Sequence, residues 1–84
     1  MNPSSRPSLR LLEAFLSVVE NKTMSAAAAG LGMSQAAVSQ AITQLEETLG
    51  VTLFDRSVRP PALTLVGSSV LRSAREVIAR VREW

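Results

Sequence analysis

Met24-Ser25-Ala26-Ala27-Ala28-Ala29-Gly30-Leu31-Gly32-Met33-Ser34-Gln35-Ala36-Ala37-Val38-Ser39-Gln40-Ala41-Ile42-Thr43 decides how this chain folds. It reads as two helices joined by a tight glycine turn, the core of a helix-turn-helix. The first helix is short. Ser25 is positioned to cap it, Ala26 to Ala29 favour helix, and Leu31 closes it. Its small side chains allow another helix to approach closely. Gly32 stands where a left-handed residue ends a helix. The next helix begins after Met33, with Ser34 as cap and Met33 able to staple against Val38. Val38, Ile42, Leu45 and Leu49 make one apolar stripe, and Gly50 stops it. The opposite face carries Ala36, Ser39, Gln40 and Thr43, with Gln35 and Gln44 at its edges and no positive charge.

Toward the N-terminus, Ser8 caps a helix whose Leu9, Leu12, Leu16 and Val19 recur at helical spacing beside Phe15. That helix is expected to end near Glu20, before Asn21-Lys22-Thr23. Residues 1–7 hold two prolines, two serines and an arginine, and read as a mobile arm. Toward the C-terminus, Val51 to Arg56 is β-permissive, Ser57-Val58-Arg59-Pro60-Pro61 is turn-like, and Ala62-Leu63-Thr64 follows. These predict a small hairpin, held to an edge by its prolines. From about Leu65 to Trp84 runs the longest helix. Val70, Ala74, Val77, Val81 and Trp84 alternate steps of four and three, Leu71 and Ile78 widen the stripe, and Arg72, Glu76 and Arg80 form an outer ladder. The stripe either packs back onto the domain or makes a subunit interface. Its length and Trp84 favour the interface, because a helix so apolar on one face needs a partner. The pattern is still running where the sequence stops, which suggests a fragment of a longer protein. The pattern predicts a mainly α fold: a helix-turn-helix over residues 8–64, with a three-helix core and a short β-hairpin, then one long helix over 65–84.

Composition narrows the function. The chain has 84 residues, 46% of them hydrophobic, which suits one small globular domain. It has no cysteine, histidine or tyrosine, which removes Ser-His and Cys-His nucleophile pairs and most zinc sites. Glu46 and Glu47 are the only adjacent carboxylates. Helix neighbours do not face each other, so they read as a solvated face rather than an acid–base pair. No enzyme, metal or cofactor is expected. There is no secretory signal, no apolar run of membrane-spanning length, and no disulfide framework. Net charge is only +2, and Lys22 is the sole lysine among nine cations. The placement of charge, not its sum, therefore has to argue for a polyanionic partner.

The wording of the sequence resembles the N-terminal DNA-binding domain of the LysR-type transcriptional regulators. The matching stretches are Met24-Ser25-Ala26-Ala27-Ala28, Met33-Ser34-Gln35-Ala36-Ala37-Val38-Ser39, Ile42 with Leu45-Glu46-Glu47, Leu49-Gly50-Val51, Leu53-Phe54-Asp55-Arg56-Ser57, and Leu63-Thr64 with Gly67. The resemblance runs from Leu9 to Trp84. It implies a winged helix-turn-helix over residues 8–64 and a linker helix over 65–84, in a bacterial, cytoplasmic transcription factor that binds double-stranded DNA at an inverted repeat as a homodimer, or as a tetramer at full length. It also implies a C-terminal domain, absent from this chain, that binds a small-molecule effector.

Carried over by position, the resemblance starts the recognition helix at Ser34 and turns Gln35, Ala36, Ala37, Ser39 and Gln40 toward the major groove, with Thr43 further along. Arg56 and Arg59 fall in the wing, Arg59 near the minor groove. Glutamine suits adenine, and alanine methyls suit either helix propensity or thymine methyls. Arg56 fits a phosphate contact or an ion pair with Asp55. The resemblance gives the last helix the pairing of subunits, through Val70, Leu71, Ala74, Val77, Ile78, Val81 and Trp84. The chain departs from the family at Gln40, where arginine is usual, at Thr43 and Gln44, often basic, and at Pro60, usually glycine. Those changes remove phosphate contacts and stiffen the wing. The neutral face leaves a rival reading, a helix-turn-helix used as a protein-docking module.

Overall fold

A computed structural model describes residues 7–84. Of the expected arm over residues 1–7, residues 1–6 lie outside the described residues. The elements run α1 (Leu9–Asn21), α2 (Met24–Leu31), α3 (Gln35–Leu49), β1 (Phe54–Asp55), β2 (Ala62–Leu63) and α4 (Leu65–Arg82).

Every helix starts on a hydroxyl. Ser8, Thr23, Ser34 and Thr64 have extended backbones, and their side-chain oxygens accept the N–H groups of Leu11, Ala26, Ala37 and Gly67. Each thereby satisfies one of the N–H groups that a helix start leaves without a partner. The cap of α2 is Thr23, not Ser25. Thr23 sits at φ −135°, ψ 152° and accepts from Ala26 at 3.0 Å, so α2 begins two residues earlier than the sequence indicates. Three helices end on a left-handed residue: Lys22 (φ 69°) after α1, Gly32 (φ 66°) after α2 and Gly50 (φ 69°) after α3. At the α2–α3 turn, Met33 N–H donates to the Ala28 carbonyl at 3.0 Å and Gly32 N–H to Ala29 at 3.4 Å. This Schellman arrangement ends α2 and leaves three residues, Gly32 to Ser34, to turn the chain into α3.

α1 packs against α2, α3 and α4. Being flanked on several sides, it buries Leu11, Ala14 and Val18 as well as Leu12, Phe15 and Leu16, a wider face than its spacing indicates, while Leu9 and Val19 are half-buried. Phe15, Val38, Ile42, Leu45, Leu53 and Ile78 are the largest of the fully buried side chains. On α3, Val38, Ile42 and Leu45 are buried with Ala41, and Leu49 is half-buried. Ala27 and Ala28 are the buried residues of α2, where a larger side chain would hold the helices apart.

The stripe of α4 divides. Leu71, Ala74 and Ile78 are buried within this chain, and Val70 packs at their edge. Val77 and Val81 are each 45% exposed, and Trp84 is fully exposed. The seven-residue subunit seam expected from the sequence is thus corrected: three of its members already belong to the domain's own core. Their three- and four-residue spacing aims them at α1, while Val77, Val81 and Trp84 lie on a neighbouring face. The expected ladder on Arg72, Glu76 and Arg80 forms no ion pair; among the described residues the ion pair within 4.0 Å joins Arg56 and Glu46.

The wing is a two-stranded antiparallel hairpin with Phe54 opposite Leu63 and Asp55 opposite Ala62. Thr64 lies outside β2 as the cap of α4. Its hydroxyl donates to the Thr52 carbonyl at 2.6 Å and accepts from Gly67 N–H at 2.9 Å, and its backbone N–H donates to the Leu53 carbonyl at 2.9 Å. A Cβ on Gly67 would run into the Leu53 carbonyl oxygen and the Leu63 side chain, so glycine lets α4 start against the wing root. The rings of Phe15 and Phe54 meet edge to face, 5.6 Å apart at 75°.

Candidate nucleic-acid interface

The buried stripe of α3 turns its other side to solvent. Gln35, Ala36, Gln40 and Thr43 are exposed, and Ala37 and Ser39 are half-exposed on its flanks. The Ser34 oxygen is engaged as cap at 3.0 Å from Ala37 N–H, which leaves its hydroxyl proton to donate. The face offers amides and hydroxyls that both donate and accept, beside the methyl groups of Ala36 and Ala37, and no cation.

Charge enters from outside α3. Arg56 and Arg59 on the wing line a groove of about 490 Å³ together with Gln35 at the start of α3. Gln40 and Thr43 lie further along α3 and outside that groove. Arg56 does not pair with Asp55, as one sequence reading allows. Its guanidinium lies 3.6 Å from Glu46 Oε1, with the Arg56 side chain 49% and the Glu46 side chain 16% exposed. Asp55 instead accepts the hydroxyl and the backbone N–H of Ser57. Those two bonds, the hydroxyl's first, hold the Asp55 carboxyl below its ordinary value of 3.8.

Glu46 is the residue that sequence reasoning placed wrongly. It is not part of a solvated face: Oε2 accepts the Leu53 backbone N–H at 2.8 Å while Oε1 faces Arg56. No spacing rule signals this, because both partners arrive only after the chain has turned through Gly50.

Of the residues expected to pair subunits, Val77, Val81 and Trp84 are exposed. A second groove, of about 340 Å³, is lined by Val77 of these, together with Leu12, Leu49 and Val70. Among the described residues no helix is long and apolar enough to cross a membrane, and no group of three or more His, Cys, Asp or Glu could hold a metal.

Residues 9–68 match the family described as bacterial regulatory helix-turn-helix protein, lysR family. The chain is 45% identical over 76 residues to a probable hydrogen peroxide-inducible genes activator of Streptomyces viridosporus, covering 90% of this chain and 24% of the relative. It is 46% identical over 71 residues to the HTH-type transcriptional regulator ShiR of Corynebacterium glutamicum, covering 84% of this chain and again 24% of the relative. It therefore spans about a quarter of the length of these relatives. Among solved structures, the BenM DNA-binding domain in complex with catB site 1 DNA superposes with a TM-score of 0.86 at 34% identity, over 90% of this chain and 82% of that one. The Corynebacterium glutamicum OxyR C206 mutant superposes with a TM-score of 0.86 at 36% identity, over 93% of this chain and 25% of that one. The match over residues 9–68, well over half of the chain, shows that this chain belongs to the lysR family of bacterial regulatory helix-turn-helix proteins.

Proposed function

We propose that this chain is the DNA-reading end of a bacterial transcriptional regulator. α3 enters the major groove with Gln35, Ala36, Ala37, Ser39, Gln40 and Thr43, and the wing brings Arg59 toward the adjacent minor groove. The observation that carries this reading is the exposed, hydrogen-bonding face of α3 beside an arginine-bearing wing, on a fold that superposes on a domain solved with DNA. Nothing in this function needs catalysis, and it belongs in the cytoplasm, where the chromosome is.

Two copies pair through Val77, Val81 and Trp84 of α4, with Val70 at the margin, and so present two recognition helices to an inverted repeat. In the full-length protein, a domain following α4 binds a small-molecule effector and supports a dimer or tetramer. Selection of bound sites from random duplexes tests the reading. The expected product is an enriched inverted repeat, bound with a shallow salt slope, because α3 carries neither lysine nor arginine. Recovery without enrichment, and retention on random DNA that ignores salt, would return the domain to protein docking.

A further inference from the structure

Base reading by α3 does not account for Lys22. Its backbone lies at φ 69°, the left-handed region that a Cβ disfavours and that glycine or asparagine enters more readily. It is the one non-glycine residue at positive φ among the described residues, and the sole lysine of the chain. Its N–H donates to the Val18 carbonyl at 2.9 Å, which fixes the turn. The exposed side chain lines the same groove of about 490 Å³ as Gln35, Arg56 and Arg59. Three of the nine cations thus converge on one groove over an apolar floor that includes Phe54, and no acidic side chain lines it. Arg56 already faces Glu46 from outside the lining, whereas a strained backbone that holds the Lys22 charge beside Arg59, with no carboxylate among the lining residues, points to an anionic occupant.

A base-reading helix also needs backbone contacts to fix its register on the duplex, and α3 supplies no cation for them. We propose that Lys22, on the α1–α2 turn, is a DNA contact. With Arg56 and Arg59 on the wing side, it seats the sugar-phosphate backbone of the duplex whose bases face α3. Lysine, a compact charge on a flexible stem, suits a phosphate and not a particular base. The strained position places in a neighbouring turn the charge that α3 lacks. This inference rests on the DNA-binding reading above.

The test uses the whole 84-residue chain with asparagine and arginine at position 22, each titrated with random and with selected duplexes over a salt series. Lys22→Asn suits the left-handed backbone, so its melting temperature is expected to match that of the wild type. It is expected to weaken binding to both duplexes alike and to reduce the log–log salt slope by about 0.9 per bound chain, the share of one phosphate contact. Base preference stays unchanged, and Lys22→Arg restores the slope. A Lys22→Asn slope and affinity equal to those of a salt-sensitive wild type would overturn the inference and leave DNA binding standing. Failure of Lys22→Arg to restore the slope would also overturn it. A wild type that shows no salt dependence would bring down the DNA-binding reading itself.

Discussion

The Glu46 carboxylate accepts the Leu53 backbone N–H at 2.8 Å and so ties the last turns of the recognition helix to the root of the wing. Glu46→Ala leaves that half-buried N–H without a partner and is expected to cost about 1–3 kcal/mol of stability. Glu46→Gln keeps an acceptor and loses only the half-exposed ion pair with Arg56, worth about 0–1 kcal/mol. Chemical denaturation of the two variants checks the order. Equal losses would mean that charge, not the hydrogen bond, holds the wing.

Gln35→Ala removes an exposed amide at the first turn of α3. Specific binding is expected to weaken by about 1–3 kcal/mol, with base preference relaxed at one position per half-site and random-DNA binding nearly unchanged. Titration of a set of single-base operator variants measures this. An equal loss on random DNA would make Gln35 a phosphate contact.

Arg59 stands on the exposed wing tip beside Pro60 and Pro61. Narrow minor grooves at A·T-rich sequence concentrate negative potential and attract arginine. Arg59→Ala is therefore expected to weaken binding most when the recognised bases are flanked by A·T runs. Matched operators with A·T-rich and G·C-rich flanks test this, and an equal loss on both would place Arg59 on a phosphate outside the groove.

Because the folded state holds Asp55 below its ordinary 3.8, the carboxylate form favours the folded wing. Whatever this turn contributes is fully present above that value, and is lost only as pH falls through the lower folded-state pKa. The Ser57 amide shift, followed by NMR against pH, is expected to titrate with a midpoint below the ordinary 3.8. A titration of that amide near pH 5 would contradict the assignment.

The two faces of α4 predict opposite phenotypes. Val77→Glu alters an exposed position and should leave melting nearly unchanged while shifting sedimentation toward monomer. Ile78→Ala empties a core site only 2% exposed and should cost about 2–5 kcal/mol of stability. If Val77→Glu sediments like the wild type at every concentration, the exposed face of α4 does not pair subunits.

How much the residues told in advance depended on how locally each feature is decided. Gly32, Ser34 and Gly50 were legible because left-handed helix ends and hydroxyl caps are set by the sterics and hydrogen bonding of a few neighbouring atoms. The choice between Thr23 and Ser25 was not, since both offer a hydroxyl and the start of α2 rests on Met24 being half-buried against the rest of the domain. The recognition face of α3 followed from its buried stripe, whereas the role of Glu46 rests on contacts with Leu53 and Arg56, across the turn at Gly50. On α4, one apolar pattern serves two surfaces, and only the packing of α1 decides that Leu71 and Ile78 turn inward and Val77 does not.

The edge-to-face contact of Phe15 with Phe54 gives the wing two regions with different freedom to mutate. Phe54 belongs to the same packed centre as α1, so the base of the hairpin melts and exchanges its amides with the whole domain. Ser57 to Pro61 is exposed, with none of its side chains in that centre. Substitutions at Val58 or Arg59, which leave the Ser57–Asp55 bonds in place, are expected to change the melting temperature little while they alter what the wing meets. A lineage, or a designer, can therefore retarget this loop without first having to restabilise the protein.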